Sequence, residues 1–206
     1  MRNLLSTKNQ RQLRLMEILI QNRNWMKLHE LADNLGCTER ILKNDLNELR
    51  LAFPSIDIQS SVNGIMIDLE VNTSVEDVYQ YFLANSQSFQ LLEYMFFNEG
   101  LPIYRTIENL HSSNANLYRL GRNITKVLSS QFQIELSFTP SEIRGNEIDI
   151  RYFFAQYFSE RYYFLDWPFP DIPEEDLTEF ADFFYKITNY PMRFSIYRMY
   201  KLMIAI

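Results

Sequence analysis

Between Leu28 and Arg50 the apolar positions recur at helical spacing, break once, and resume. Leu28, Leu31, Ala32 and Leu35 form the first stripe, and Gly36 follows where a residue able to take positive φ ends a helix. Thr38 stands where an N-cap is wanted, with Glu39 in the first turn to meet the helix dipole. At about 100° per residue, Ile41, Leu42, Leu46 and Leu49 fall on one side of a second helix. Glu39, Arg40, Lys43, Asn44 and Asn47 spread over the other. The pattern predicts a helix-turn-helix.

The polar face of the second helix has the chemistry of a groove reader. Arginine pairs bidentately with guanine edges, asparagine with adenine, and lysine suits phosphate. Thr38, Glu39, Arg40, Lys43, Asn44 and Asn47 are therefore the first set of candidate DNA-binding residues. The alternative for this face is an ordinary solvated helix surface.

The flanking segments complete a small domain. Upstream, Gln10 to Gln21 carries Leu13, Leu15, Met16, Leu19 and Ile20, which predict the first helix of a three-helix core. Downstream, Ile56 to Glu70 holds two β-branched runs around Ser60 to Gly64, with Asn63-Gly64 as the hairpin signal. Three helices and a hairpin make a winged helix, with Ser60 and Asn63 near the tip as further DNA-contact candidates. Trp25, between two helices, is expected to plug the core.

A second unit of the same kind follows. Ile103 to Leu110 predicts a short helix, Ser112 to Asn114 a polar turn, and Ala115 to Leu128 a long helix. Phe132 to Asp149 then contains two β-like stretches around Thr139, Pro140 and Gly145. At an offset of roughly 75 to 80 residues, Leu42, Leu46 and Leu49 fall on Leu120, Ile124 and Val127. Along the long helix, Leu117, Leu120, Ile124, Val127 and Leu128 share one side. Tyr118, Arg119, Arg122 and Lys126 occupy the other, with Asn116 and Asn123 on the flanks. Three cations on one face form a phosphate-contacting pattern, the alternative being pairing with nearby carboxylates. The tips expected to touch DNA backbone or minor groove are Ser60 to Asn63 and Ser141 to Gly145.

Ser74 to Glu99 reads as one or two helices joining the units, opening on a capping-box variant, Ser74-x-x-Asp77. After residue 150 aromatics crowd the chain, including Tyr152, Phe153, Phe154, Tyr157, Phe158, Tyr162, Tyr163, Phe164, Trp167 and Phe169. A base-stacking platform is disfavoured there because the region is acidic; a helix packed on the second winged unit is expected, with a homodimer surface as the alternative. Pro168, Pro170 and Pro173 mark a boundary, and Pro173 followed by Glu174, Glu175 and Asp176 is a helix start. Leu177, Phe180, Phe184 and Ile187 form one apolar stripe and Phe194 to Ile206 another. The predicted fold class is mainly α with small β-hairpin wings: two winged helix-turn-helix units joined by helices, then the start of an all-helical domain. The expected divisions are 1–72, 73–100, 101–166 and 167–206.

Charge sharpens this picture. The chain is acidic, at a formal net charge of -6. Residues 1–50, however, carry 9 Lys/Arg against 6 Asp/Glu, and 101–130 carry 4 against 1, whereas 51–100 carry none against 7. The positive islands coincide with the two proposed readers, an arrangement that orients DNA more than it binds it indiscriminately. The single cysteine, Cys37, excludes an internal disulfide framework and fits a reducing compartment; it reads as a small turn residue, the alternative being a redox switch at a helix N-terminus, where a thiol's pKa is lowered. His29 and His111 read as packing or capping residues, without acidic or cysteine partners at ligand spacing. No apolar run approaches the roughly 18 residues of a membrane span, and no secretory leader is evident. Isolated glycines, no metal spacing and no nucleophile elbow give no enzyme signature and call for no cofactor.

The order of parts adds a resemblance. An N-terminal winged helix, an aromatic-rich linking segment near Tyr79 to Phe97, the run LYRLGRNITKVL at Leu117 to Leu128, and YFFAQYF at Tyr152 to Phe158 together resemble the Mga family of bacterial transcription regulators. The resemblance covers roughly residues 8 to 165. It implies a cytoplasmic regulator of a Gram-positive bacterium, an activator of surface-protein or virulence genes, with two DNA-binding modules. In that family these modules precede domains resembling those controlled by the sugar phosphotransferase system, and then a self-association domain. Such regulators are several hundred residues long, so a chain ending at Ile206 is expected to be a fragment, a short homologue or a truncated product. The family's phosphorylatable histidines have no counterpart here.

Two functions of different class follow as expectations. One is a regulator whose partner is double-stranded DNA, with no membrane partner; the other is a winged-helix protein-interaction module that does not touch DNA.

Overall fold

The computed structural model describes residues 1–69, 74–163, 166–188 and 193–206. Glu70, the division after residue 72 and Phe164 lie outside them. The chain forms two compact units, one comprising Leu4–Leu83 with Arg2 and the other Ala84–Ile206 with Met1 and Asn3. The architecture is mainly α, with two small antiparallel hairpins.

In the first unit α1 spans Thr7–Asn22, α2 Leu28–Asn34 and α3 Glu39–Ala52. Helix α1 starts earlier than its apolar stripe because the Ser6 hydroxyl accepts from the Asn9 amide at 3.2 Å. It ends at Arg23, whose φ of 50° is left-handed. Leu13, Leu15, Met16 and Leu19 of α1, Leu31 of α2 and Leu42, Leu46 and Leu49 of α3 form the centre of the core. Strands β1 (Ile56–Ser61) and β2 (Gly64–Leu69) form the wing, with Ser61 paired to Gly64 across a two-residue loop, Val62 and Asn63. Helix α4 (Val75–Ala84) opens on the expected reciprocal cap: the Ser74 amide donates to Asp77 Oδ2 at 2.8 Å, and the Asp77 amide to Ser74 Oγ at 3.2 Å.

Three expectations for this unit are corrected. Trp25 is 38% exposed and plugs nothing. Its neighbour Met26 bridges to Ile65 of β2, N to O at 2.9 Å and back at 2.8 Å, so the segment is a short edge strand whose successive side chains alternate. Ile41 is 39% exposed, at the margin of the apolar stripe, and Asp45 takes the buried place beside Leu42, Leu46 and Leu49. Gly64 is the first residue of β2 and lies outside the loop: a Cβ there would lie 2.0 Å from the Met26 carbonyl oxygen, and its φ is 126°. Glycine is required for the close approach of that edge strand.

The second unit contains α5 (Gln87–Phe97), α6 (Ile103–Asn109), α7 (Asn114–Gln131), β3 (Glu135–Phe138), β4 (Ser141–Arg144), α8 (Glu147–Tyr162), α9 (Glu174–Thr188) and α10 (Phe194–Ala205). Helix α5 buries Phe89, Leu91, Leu92 and Met95 and packs against α6, α7 and β4, taking the place that α1 has in the first unit. Gly121 lets the wing approach α7, since a Cβ there would lie 2.4 Å from the Phe138 ring.

The two helix-turn-helices repeat at one register. Helices α6 and α7 each begin 75 residues after α2 and α3. Gly36 (φ 60°) and His111 (φ 45°) occupy the same place in the turn. Around Gly36 the amides of Leu35, Gly36 and Cys37 donate to the carbonyls of Leu31, Asp33 and Ala32. Around His111 those of Leu110, His111 and Ser112 donate to Thr106, Glu108 and Ile107. Leu42, Leu46 and Leu49 therefore correspond to Leu117, Gly121 and Ile124, not to Leu120, Ile124 and Val127. A four-then-three apolar spacing recurs along α7, and only the turn selects among its registers.

The aromatic segment is core. Phe153, Phe154, Tyr157 and Phe158 of α8 are fully buried, and the Tyr157 hydroxyl donates to the Phe89 carbonyl at 2.8 Å. Arg151 Nη1 donates to the Met203 carbonyl at 3.2 Å, fixing α10 on α8. The stripe expected on α9 is covered in part: Leu177 is half-buried and Phe184 stacks on Tyr200 of α10 at 4.9 Å, while Phe180 is 53% exposed and Ile187 is also exposed. Among the described residues no helix is long and apolar enough to cross a membrane.

Candidate nucleic-acid interface

Helix α3 is held from behind by a polar clamp. Arg11 Nε and Nη2 donate to Asp45 Oδ2 and Oδ1 at 2.6 and 3.2 Å. Buried Gln12 donates to Asp45 Oδ1 at 3.1 Å and to Glu48 Oε2 at 2.8 Å, and Lys8 Nζ to Glu48 Oε1 at 2.7 Å. A carboxylate as buried as Asp45 is tolerated only with such partners. Those hydrogen bonds from Lys8 and Gln12 hold the Glu48 carboxyl below its usual range. The Thr38 hydroxyl accepts from the Ile41 amide at 3.3 Å, so Thr38 acts as a cap. Cys37 is half-buried, and burial pushes its thiol up in spite of Arg11, which agrees with a turn residue and not a thiolate switch.

The opposite side of α3 is open. Glu39, Arg40, Lys43, Asn44 and Asn47 are all exposed. Arg50, which spacing from Lys43 and Asn47 could have singled out, joins this helix to the wing. Its Nε donates to the Ile58 carbonyl at 2.9 Å, its Nη1 to Asn47 Oδ1 at 3.2 Å, and its Nη2 to Ser60 Oγ. Ser60 and the carbonyl end of Asn47 are thereby engaged, leaving the Asn47 amide as a donor; two-pronged recognition of adenine needs both ends. A groove of about 210 Å³ runs between α3 and the wing, lined by Lys43, Asn47, Arg50, Ser60 and Ser61. Asn63 is exposed in the loop, where Lys27 Nζ reaches the Val62 carbonyl at 3.2 Å. Lys27 had no distinguishing signal in the sequence.

The second reader is built differently on the same frame. Ser113 caps α7, accepting from the Asn116 amide at 3.2 Å. Asn116 Nδ2 donates to Ser112 Oγ at 2.9 Å and to Gln87 Oε1 at 3.4 Å, and its Oδ1 accepts from Arg119 Nη2 at 2.7 Å. Asn116 thus orients Arg119. Arg122, Asn123 and Lys126 are exposed, and Tyr118 sets its ring edge against Phe138 at 5.2 Å. Thr125 Oγ1 accepts from the Leu136 amide at 3.1 Å, tying α7 to its wing as Arg50 ties α3. The wing tip is Thr139-Pro140; Ser141, expected near the tip, is buried in β4, and Gly145 lies beyond that strand.

Among the described residues no carboxylate lies within ion-pair distance of Arg40, Lys43, Arg119, Arg122 or Lys126. At matched positions the two faces differ: Lys43, Asn44 and Asn47 stand where Tyr118, Arg119 and Arg122 stand 75 residues later.

Two tri-helical cores, each with a capped second helix behind a tight turn and a hairpin beside it, define the winged helix-turn-helix class. Residues 6–65 match the helix-turn-helix domain of the M protein trans-acting positive regulator (Mga), residues 71–158 the Mga helix-turn-helix domain, and residues 173–206 the PRD domain of the same regulator. The chain belongs to the Mga-like family of regulators. It is 47% identical over its whole length to a protein of Streptococcus pneumoniae serotype 4 (strain ATCC BAA-334 / TIGR4) named as a trans-acting regulator, 42% of which is covered. Two Bacillus anthracis proteins are also similar. The capsule synthesis positive regulator AcpA is 26% identical over 84% of this chain, and the anthrax toxin expression trans-acting positive regulator 25% over 88%. The chain spans 36% to 42% of the length of these relatives.

Proposed function

We propose that this chain is a transcription regulator, an activator acting in the cytoplasm, that holds duplex DNA with two recognition helices, α3 and α7. The observation that carries this reading is the repeated turn, which on an otherwise acidic chain presents two exposed cationic faces where, among the described residues, Arg40, Lys43, Arg119, Arg122 and Lys126 have no carboxylate within ion-pair distance. Arg40, Lys43, Asn44 and Asn47 serve one reader and Arg119, Arg122 and Lys126 the other. Thr38 and Asn116 support them from the cap and from beside Arg119, and the wing at Asn63 meets the backbone. The names of the similar proteins support the sign of regulation, since two are positive regulators.

The test is a titration of the chain against promoter-derived and random duplexes at two salt concentrations. Binding to both that weakens steeply with salt, with tighter binding to promoter sequence, is expected. A folded sample that binds neither duplex at low salt contradicts the reading and favours a protein-interaction module.

A further inference from the structure

A cleft of about 530 Å³ opens within the second unit, among α5, the turn after α6 and the last turn of α8. Its volume is in the range of roughly 300 to 1,000 Å³ typical of small-molecule sites. Phe97 and Leu110 supply apolar lining; Glu93, Asn109, His111 and Arg161 supply the polar groups.

The charges in this cleft are unevenly satisfied. Both oxygens of Glu93 face a phenol, Oε1 the Tyr162 hydroxyl at 2.5 Å and Oε2 the Tyr157 hydroxyl at 2.9 Å, whose one proton is shared with the Phe89 carbonyl. Burial first, and Glu93 second, push both phenols up, so they stay protonated as donors. In return Arg161 has only a long ion pair with Glu93. Its Nε stands 3.8 Å from Glu93 Oε2, beyond hydrogen-bond reach, and its guanidinium lies over the Tyr162 ring at 5.0 Å. Its side chain is 25% exposed and lines the cleft. Among the described residues no acceptor completes it. A guanidinium on the cleft wall that no acceptor among the described residues hydrogen-bonds, beside a carboxylate whose oxygens already face two phenols, favours an incoming anion over a cation.

We propose that this cleft binds a small organic anion, its carboxylate or phosphate group held by Arg161 with His111 and Asn109, and its carbon body against Phe97 and Leu110. His111 is the left-handed residue of the turn between α6 and α7, so an occupant touches the element that aims α7. That consequence rests on α7 being a DNA reader; the binding itself does not.

The experiment is an amide NMR titration of the chain, without DNA, with glycerol 3-phosphate, benzoate and inorganic phosphate as probes. Saturable shifts at Asn109, His111 and Arg161 with one of the two organic anions are expected, and which of them binds separates phosphate from carboxylate recognition. Arg161→Gln should weaken that binding at least about tenfold, as loss of a charge-assisted pair implies, while Lys186→Gln on exposed α9 leaves it unchanged. Should Arg161→Gln disturb the fold, the exposed-site change Asn109→Ala is expected to weaken binding several-fold. No saturable shift up to about 10 mM, binding indifferent to these changes in a folded protein, or inorganic phosphate binding as tightly as either organic anion would overturn the proposal. These readouts are independent of duplex binding, so failure here is distinct from failure of α7 to bind DNA.

Discussion

Arg11 on α1 and Asp45 on α3 meet in a two-pronged ion pair, Nε to Oδ2 at 2.6 Å and Nη2 to Oδ1 at 3.2 Å. The pair lies directly behind the exposed face of α3, so it sets the angle at which that face is offered. Asp45 is 2% exposed, and its removal leaves Arg11 without its acceptor and Gln12 with Glu48 alone. Asp45→Ala should destabilise the first unit by about 3 kcal/mol. Urea unfolding measures this, and a loss below about 0.5 kcal/mol, the scale of an ordinary surface change, would show the pair to be incidental.

Glu48 extends the same clamp to Lys8, and its carboxyl is held below the usual range by hydrogen bonds from Lys8 and Gln12. A depressed carboxyl contributes stability above its unfolded pKa of about 4.3, and that contribution is lost as pH falls through the lower folded value. Stability should therefore drop on acidification below about pH 4.3, and Glu48→Gln should flatten that part of the profile. Identical acid limbs for wild type and variant would contradict the assignment.

Gly64 carries the close approach of β2 to the edge strand at Met26. Any Cβ there meets backbone, which cannot swing aside, and the φ of 126° is strained for other residues. Gly64→Ala should cost about 2 kcal/mol or more and loosen the wing. Gly121→Ala meets the Phe138 ring, a side chain able to shift, and should cost less. Thermal unfolding of the two variants side by side orders them; the reverse order would contradict this account of the wing.

How far the fold can be read from the chain depends on the range of the interaction responsible. The turn at Gly36 and the cap at Thr38 are local, and both are legible. The register of the duplication is not, because apolar spacing along α7 fits several offsets and the deciding bonds are in the turn around His111. Asp45 looks like a surface residue until Arg11, 34 positions away, is brought to it. Trp25 looks like core because nothing local announces the bridge from Met26 to Ile65. In the candidate site the exposed faces of α3 and α7 follow from periodicity. The roles of Asn47, Ser60 and Asn116 do not, since each is set by where an arginine side chain lands, Arg50 for the first two and Arg119 for the third.

Asn116 offers a test of those roles. Its Oδ1 accepts from Arg119 Nη2 at 2.7 Å, so its contribution to DNA binding should pass through Arg119. Asn116→Ala should weaken duplex binding about threefold to tenfold, the range for loss of one hydrogen bond. The same change in an Arg119→Ala background should have little further effect. Equal losses in both backgrounds would make Asn116 a contact in its own right.

The account turns on two helices gripping one duplex, and the most direct measurement is the salt dependence of duplex affinity for variants of each reader. Arg40→Ala with Lys43→Ala, and separately Arg119→Ala with Arg122→Ala, should each weaken binding and make the slope of log affinity against log salt shallower by roughly one to two units. Wild-type affinity and slope in either double variant, with the fold intact, would contradict the claim that both helices hold DNA.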